Sequence, residues 1–351
     1  MLLTSNNNFY GTIKTDFDKG PGSREPMEKS TKLQLVLVSG ILALALLAYD
    51  RIGTVFSTWL SNLVYGGYIP YTFNVSCLVQ IFYSIFIVMV PFLLAGLIIK
   101  KVQHREPEDK LLPLQPGTNR PWRICSLGIG FGALIVANLV TSIFIQLMEG
   151  RGFVVDSYDM ELPTTFVGYI MIILADAIVP AFTEEIALRG VVMGSLRKYG
   201  DAFAVVFSAM LFGLMHGNMS QAPFSFLLGL VMGYLVLKTG SLWTSIGIHV
   251  LNNTYAVILA IIREQCSDQV TAACSAVFAV VGLVLGLIAI AYLVYVYQDD
   301  GSVYKLQNPG GSDPAGQRIY RLKAWFYAVI SLPMLGALIY LGKALVETIH
   351  K

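Results

Sequence analysis

The sequence predicts an all-α polytopic membrane protein, a helical bundle of about eight to nine transmembrane helices. Three observations carry this. Of 351 residues, 55% are hydrophobic and only 13% charged, where a soluble domain of this size carries about 25% charged residues. Apolar runs near bilayer-spanning length recur along the chain. Lys and Arg gather in alternate connections, as the positive-inside rule requires. No period of 20–50 residues repeats, so a solenoid is excluded. A net charge of +2 argues against a nucleic-acid partner, and the implied partner is the lipid bilayer.

Residues 1–30 are polar and rich in Gly and Asn, without a cleavable signal peptide, and are expected to be disordered. Apolar runs follow at about 33–49, 77–99, 124–148, 164–182, 202–216, 223–238, 242–262, 270–297 and 323–346. The fifth and sixth are short. Residues 31–100 hold two N-terminal spans, 101–122 form a Pro-rich charged loop, 123–298 form the bundle core, 299–322 a second charged loop, and 323–351 a last span. Lys100, Lys101, Arg105, Lys110, Arg120 and Arg123 mark the first loop as cytoplasmic. Arg197 and Lys198 mark the turn after the fourth span, and Lys305, Arg318, Arg321 and Lys323 the connection before the ninth. The pattern puts the N-terminus inside and the C-terminus outside. Cys77, Cys125, Cys266 and Cys274 show no metal-ligand spacing and read as packing residues.

Polar residues interrupt the later spans at Glu184, Glu185 and Arg189 in FTEEIALRG, at His216 in FGLMH, and at His249 and Asn253. The chain has four histidines, and two of these lie in otherwise apolar spans. Residues 164–199 read as one long helix that turns at Tyr199-Gly200. Glu184 lies 16 residues before Gly200 and His216 lies 16 after, so both sit about 24 Å along antiparallel helices from the turn. His249 and Asn253 lie roughly 12 and 18 Å along the span entering near Ser241, and as an i,i+4 pair they share a face. The expected result is convergence in one cavity opening towards the cytoplasm.

Within FTEEIALRG, Glu185 and Arg189 are i,i+4 with the acid N-terminal, the favourable order for an intrahelical ion pair. Glu184 points about 100° away and has no local partner, which suits a general base. His216 can share its water, and His249 and Asn253 can donate to a developing oxyanion. Each feature also has a plain structural reading: a helix-end salt bridge for Glu185–Arg189, a surface acid for Glu184, a loop residue for His216, an interhelical hydrogen bond for Asn253.

The three motifs E184-E185-x-x-x-R189, F212-x-x-x-H216 and H249-x-x-x-N253, in this order on successive spans, resemble the CPBP family. It comprises CAAX proteases, bacteriocin-processing and abortive-infection proteins. The resemblance covers roughly residues 160–260. It implies an intramembrane glutamic endopeptidase with a conical bundle and a cytoplasm-facing cavity, working without a cofactor. Glu184 and His216 would activate water, His249 and Asn253 would form the oxyanion site, and Glu185, Arg189 and Phe212 would support them. Eukaryotic CAAX enzymes resemble one another in a further histidine after the second motif, where this chain has Gly217-Asn218-Met219. That places it nearer the prokaryotic branch, whose members are associated with peptide maturation and bacteriocin self-protection, in a bacterial plasma membrane. The substrate would be a membrane-associated peptide or protein, lipidated or not, and the sequence leaves the oligomeric state open.

Three rival readings use the same residues. A zinc metalloprotease could take Glu184, His216 and His249 as ligands, although no HExxH is present. An ion-coupled transporter would also need buried ionisable groups, but no inverted repeat is visible. A non-catalytic membrane scaffold or immunity protein could carry the motifs without chemistry.

Overall fold

The structure, a computed structural model, describes residues 27–105, 111–117, 119–156, 160–298 and 314–350. The expected disordered segment lies outside the described residues up to position 26, as does most of the loop expected at 299–322. The described chain is almost entirely helical. Its long helices are α1 (Lys29–Tyr65), α2 (Phe73–Val102), α3 (Arg120–Glu149), α4 (Phe166–Tyr199), α6 (Ala222–Thr239), α7 (Leu242–Gln265) and α8 (Asp268–Val296). These seven are long and apolar enough to cross a membrane. Between α4 and α6 lies α5 (Asp201–Met215). At 15 residues it reaches about 22 Å, short of the roughly 30 Å hydrocarbon core.

The expected ninth span is not straight. It divides into α9 (Pro314–Val329) and α10 (Leu332–Glu347), bent by 79° where the two meet. The cause is local. Ser331 accepts from Met334 N as an N-cap, and Pro333 follows in the first turn of α10. That pair starts a helix far better than it continues one. Counting this bent pair, the described residues hold eight candidate spans. The first span also departs from expectation. An uninterrupted apolar run stops at Asp50-Arg51, but the helix continues through both to Tyr65. Arg51 lies 3.4 Å from Asp50 and stacks its guanidinium 4.3 Å from the Tyr340 ring centre. This lets a charged pair stay within a long helix.

Small residues set the closest helix approach. In α3, Gly128 and Gly132 face Gly282 and Gly286 of α8, and a Cβ on Gly132 would stand 3.1 Å from the Gly286 Cα. This is a small-xxx-small seam in which backbone, not side chain, is the contact surface. Gly132→Val is expected to wedge the two helices apart and to cost about 1–3 kcal/mol, visible as a lowered midpoint of thermal unfolding in detergent.

Hydrogen bonds group the helix ends. At one end, Gln34 Nε2 donates to Val102 O, Gln103 Nε2 to Ser195 O, Arg105 Nη2 to Gly194 O and Ser241 Oγ to Gln115 O. At the other, β1 (Val154–Val155) pairs antiparallel with β2 (Ile349–His350). There Met219 N donates to Thr348 Oγ1. All four cysteines are free thiols, two of them buried.

Candidate active site

The site is built on α4, and the irregularity of that helix explains much of it. Two stretches, Ile173–Ile178 and Ile186–Met193, are widened to π-helix, a feature that concentrates at functional sites. The first has a cause in the sequence. Pro180 has no N–H to give the carbonyl of residue 176 four positions back, and its ring crowds that carbonyl. The released Asp176 carbonyl accepts instead from Asn253 Nδ2 at 2.9 Å. Freed backbone groups at membrane depth need such a partner. In the second stretch, Ser208 Oγ of α5 donates to Leu188 O at 3.1 Å.

Glu185 and Arg189 form an ion pair of 2.6 Å, both side chains fully enclosed. Paired charges of this kind persist in an apolar interior only with further support. His249 supplies part of it, its Nδ1 lying 3.0 Å from the same Glu185 Oε1. Phe212 supplies more, its ring centre 4.4 Å from the Arg189 guanidinium carbon, a cation–π contact worth more when desolvated. The same Phe212 ring packs edge-on against both histidines, 4.9 Å from His216 and 5.6 Å from His249 between centroids. Phe212 is thus the hub that holds the second motif against the third.

Glu184 differs from its neighbour. Its side chain keeps 23% exposure, while its Oε2 atom is buried and has no protein hydrogen-bond donor. His249 Nε2 lies 3.8 Å from that oxygen, too far for a direct hydrogen bond. His216 closes α5, and its Nδ1 lies 2.8 Å from Phe212 O. A carbonyl only accepts, so Nδ1 carries the proton and Nε2 of the neutral ring is left as an acceptor. Gly217 takes φ +64 directly after it, a left-handed turn that favours glycine. Asn218 then organises the loop, accepting from Ser220 Oγ and Gln221 N and donating to His216 O.

The structure therefore brings together Glu184, Glu185, Arg189, Phe212, His216 and His249. Asn253 stands apart, about a turn further along α7. Its Nδ2 is bonded to Asp176 O and its Oδ1 accepts from Asn252. The zinc set of Glu184, His216 and His249 is not assembled. Among the described residues no three His, Cys, Asp or Glu side chains group closely enough to hold a metal ion.

Towards the Gly200 turn, α4 is sealed. Ala187, Leu188, Arg189, Val191, Val192 and Met193 are all at most 1% exposed. The partly exposed polar groups are Glu184, Asp176, His216 and Asn253. Of these, Asp176 and Asn253 lie further from the Gly200 end than Glu184 and His249 do. A cavity of about 500 Å³ is lined by Pro116, Gly117, Arg123 and Trp243 among others, and includes none of the motif residues.

Sequence reasoning passed over two residues here. Asp176 is a lone carboxylate in ILADAIVP, visible as a charge inside an apolar run. Tyr49 of α1 lies beside the second motif, its hydroxyl donating to Met215 O at 3.4 Å. Nothing in its local sequence marks it, because Met215 is 166 residues away and Tyr83, which its ring meets edge-on at 6.3 Å, lies on another helix.

Residues 165–255 match the family model for type II CAAX prenyl endopeptidase Rce1-like proteins. Over 104 residues the chain is 28% identical to "Putative membrane peptidase YdiL" of Bacillus subtilis (strain 168). That stretch is 29% of this chain and 43% of the relative, so the chain spans less than half the length of the curated protein it matches. No solved structure matches. The family match encloses all three motifs.

Proposed function

From a CPBP-family core at residues 165–255, we propose that this chain is an intramembrane endopeptidase that cleaves a membrane-associated peptide with a water activated by Glu184. One observation supports the reading above the rest. Of two adjacent glutamates, Glu185 is fully enclosed with one oxygen fixed by Arg189 and His249, while Glu184 is partly exposed and has, among the described residues, no cation or donor within hydrogen-bond distance, His249 Nε2 standing 3.8 Å away. An unpaired carboxylate next to a fixed, neutralised one is the arrangement that a general base needs.

Glu184 takes a proton from water, and the water oxygen bonds to the scissile carbonyl carbon. His216 Nε2, held as an acceptor, orients that water. The oxyanion is met by His249 Nε2–H when that ring is doubly protonated. Collapse breaks the C–N bond, and the proton on Glu184 passes to the leaving amine. Phe212 and the Glu185–Arg189 pair hold the two histidines in place.

The test is hydrolysis of a diverse set of amphipathic synthetic peptides by the purified protein in lipid nanodiscs, read by mass spectrometry. Cleavage at defined bonds supports the reading, and intact peptides throughout would return the chain to the scaffold or transporter class. A strong chelator is expected to leave the cleavage rate unchanged. Loss of activity on chelation, restored by added zinc, would replace the glutamic mechanism by the metal one.

A further inference from the structure

We infer that Asp176 is a specificity residue, a fixed anionic site that receives an ammonium or guanidinium group of the substrate. The inference uses the protease reading to place that group relative to the scissile bond. Asp176 lies inside a membrane-spanning helix, where a carboxylate costs a few kcal/mol and marks a pathway or binding site unless it is paired. Among the described residues no hydrogen bond or ion pair engages its carboxylate. The side chain belongs to the inward stripe of α4 made by Ile172, Ala175, Val179, Pro180 and Thr183, whereas Ile173 and Leu174 face outward. Across from it stand Asn253 on α7 and Cys77 on α2, the latter close enough to interact electrostatically. Neither neighbour is a cation.

Its position is also rigid. Pro180 releases the Asp176 carbonyl and Asn253 captures it, so the backbone beneath the carboxylate is fixed from two sides. That expense of structure suits a recognition element better than a chance surface acid. Asp176 and Glu184 are eight positions apart, about 11–12 Å along the helix once the π-widened turn at Asp176 is allowed for. An extended peptide advances about 3.3 Å per residue. A substrate with its scissile bond at Glu184 would therefore place the residue three or four positions away beside Asp176. A Lys or Arg side chain fits that offset, and so does the free amino terminus of a short peptide. Both present the same charge-assisted donor.

The experiment is peptide capture by the full chain in nanodiscs, silenced by Glu184→Gln so that binding is read without turnover. The probes are fluorescent ten-residue apolar peptides with one Lys, Gln or Glu, each with a free or an acetylated amino terminus. The Lys peptides are expected to bind roughly tenfold more tightly than the Gln peptides, as a charge-assisted hydrogen bond allows. Asp176→Asn should erase that preference and Asp176→Lys should invert it towards Glu. A preference that survives acetylation identifies a basic side chain, and one that needs the free terminus identifies the terminal ammonium. Equal capture of Lys, Gln and Glu peptides by the Asp176 protein overturns the inference without reliance on any Asp176 variant. A Lys preference that persists in a folded Asp176→Asn protein overturns it too. If the cation preference holds while the unsilenced protein cleaves nothing, the protease reading fails and the recognition site stands. If cleavage proceeds without preference, only the present inference fails.

Discussion

Glu184→Gln is expected to lower peptide hydrolysis by at least about 10²-fold, the lower end of what a positioned general base contributes, while leaving the fold intact. The amide keeps the shape of the carboxylate but cannot take a proton from water. The carboxylate oxygen that it alters has no protein donor to lose, and the side chain is partly exposed, so little native bonding is disturbed. The measurement pairs single-turnover cleavage with thermal unfolding of the same preparation. Lost turnover at an unchanged unfolding midpoint locates the defect in chemistry. Retained turnover would remove Glu184 from the role of base, whatever the stability. His216→Gln serves as the companion, since loss of its Nε2 acceptor should also slow turnover while substrate capture persists.

Arg189→Met is expected to act in the opposite way, through stability. It leaves Glu185 fully enclosed with His249 Nδ1 as the hydrogen-bond partner of its Oε1, and removing one member of a buried pair typically costs about 3–5 kcal/mol. The guanidinium also covers the Phe212 ring, so its loss loosens the hub between His216 and His249. The protein should unfold at a clearly lower temperature and accumulate poorly in membranes. The decisive comparison is the double substitution Glu185→Leu with Arg189→Met. An apolar pair of similar volume should recover most of the stability, because the penalty lies in the stranded charge. Activity should not return, because His249 loses the carboxylate that orients its Nδ1. If the double variant is no more stable than Arg189→Met alone, the pair contributes by packing and not by charge compensation.

What could be read from the sequence followed the range of each interaction. Glu185 and Arg189 sit one helical turn apart, so helix geometry alone brings them together, and Phe212 and His216 share a face for the same reason. The spans were legible where apolar runs were unbroken. They were misjudged where a local event intervened: α1 continues through Asp50-Arg51 because Tyr340, far away in sequence, receives the arginine. The last span breaks because Ser331 and Pro333 begin a new helix in the middle of an apolar run. The offset of Asn253 from the carboxylates was beyond simple spacing. It depends on a carbonyl that Pro180 leaves without its usual donor, and depth counted at a uniform 1.5 Å per residue does not register π-widened turns. Asp176 has no oppositely charged residue one helical turn away in ILADAIVP, so no local pairing marks its role.

The length of α1 has a practical consequence. Its 37 residues extend about 55 Å, and a tilt of about 40° still projects them over roughly 42 Å, some 12 Å beyond the hydrocarbon core. The overhang falls at its C-terminal end, since the other end is held to Val102 and Tyr199 through Gln34. Tyr65, Tyr68 and Tyr71, exposed at 90%, 80% and 62%, follow at this end, beyond the length that the hydrocarbon core requires. An epitope or a protease site placed between Gly66 and Tyr71 would therefore stand in water, reachable without disturbing the bundle. In sealed, right-side-out cells it becomes a flag whose accessibility tells which face of the membrane this pole of the molecule meets.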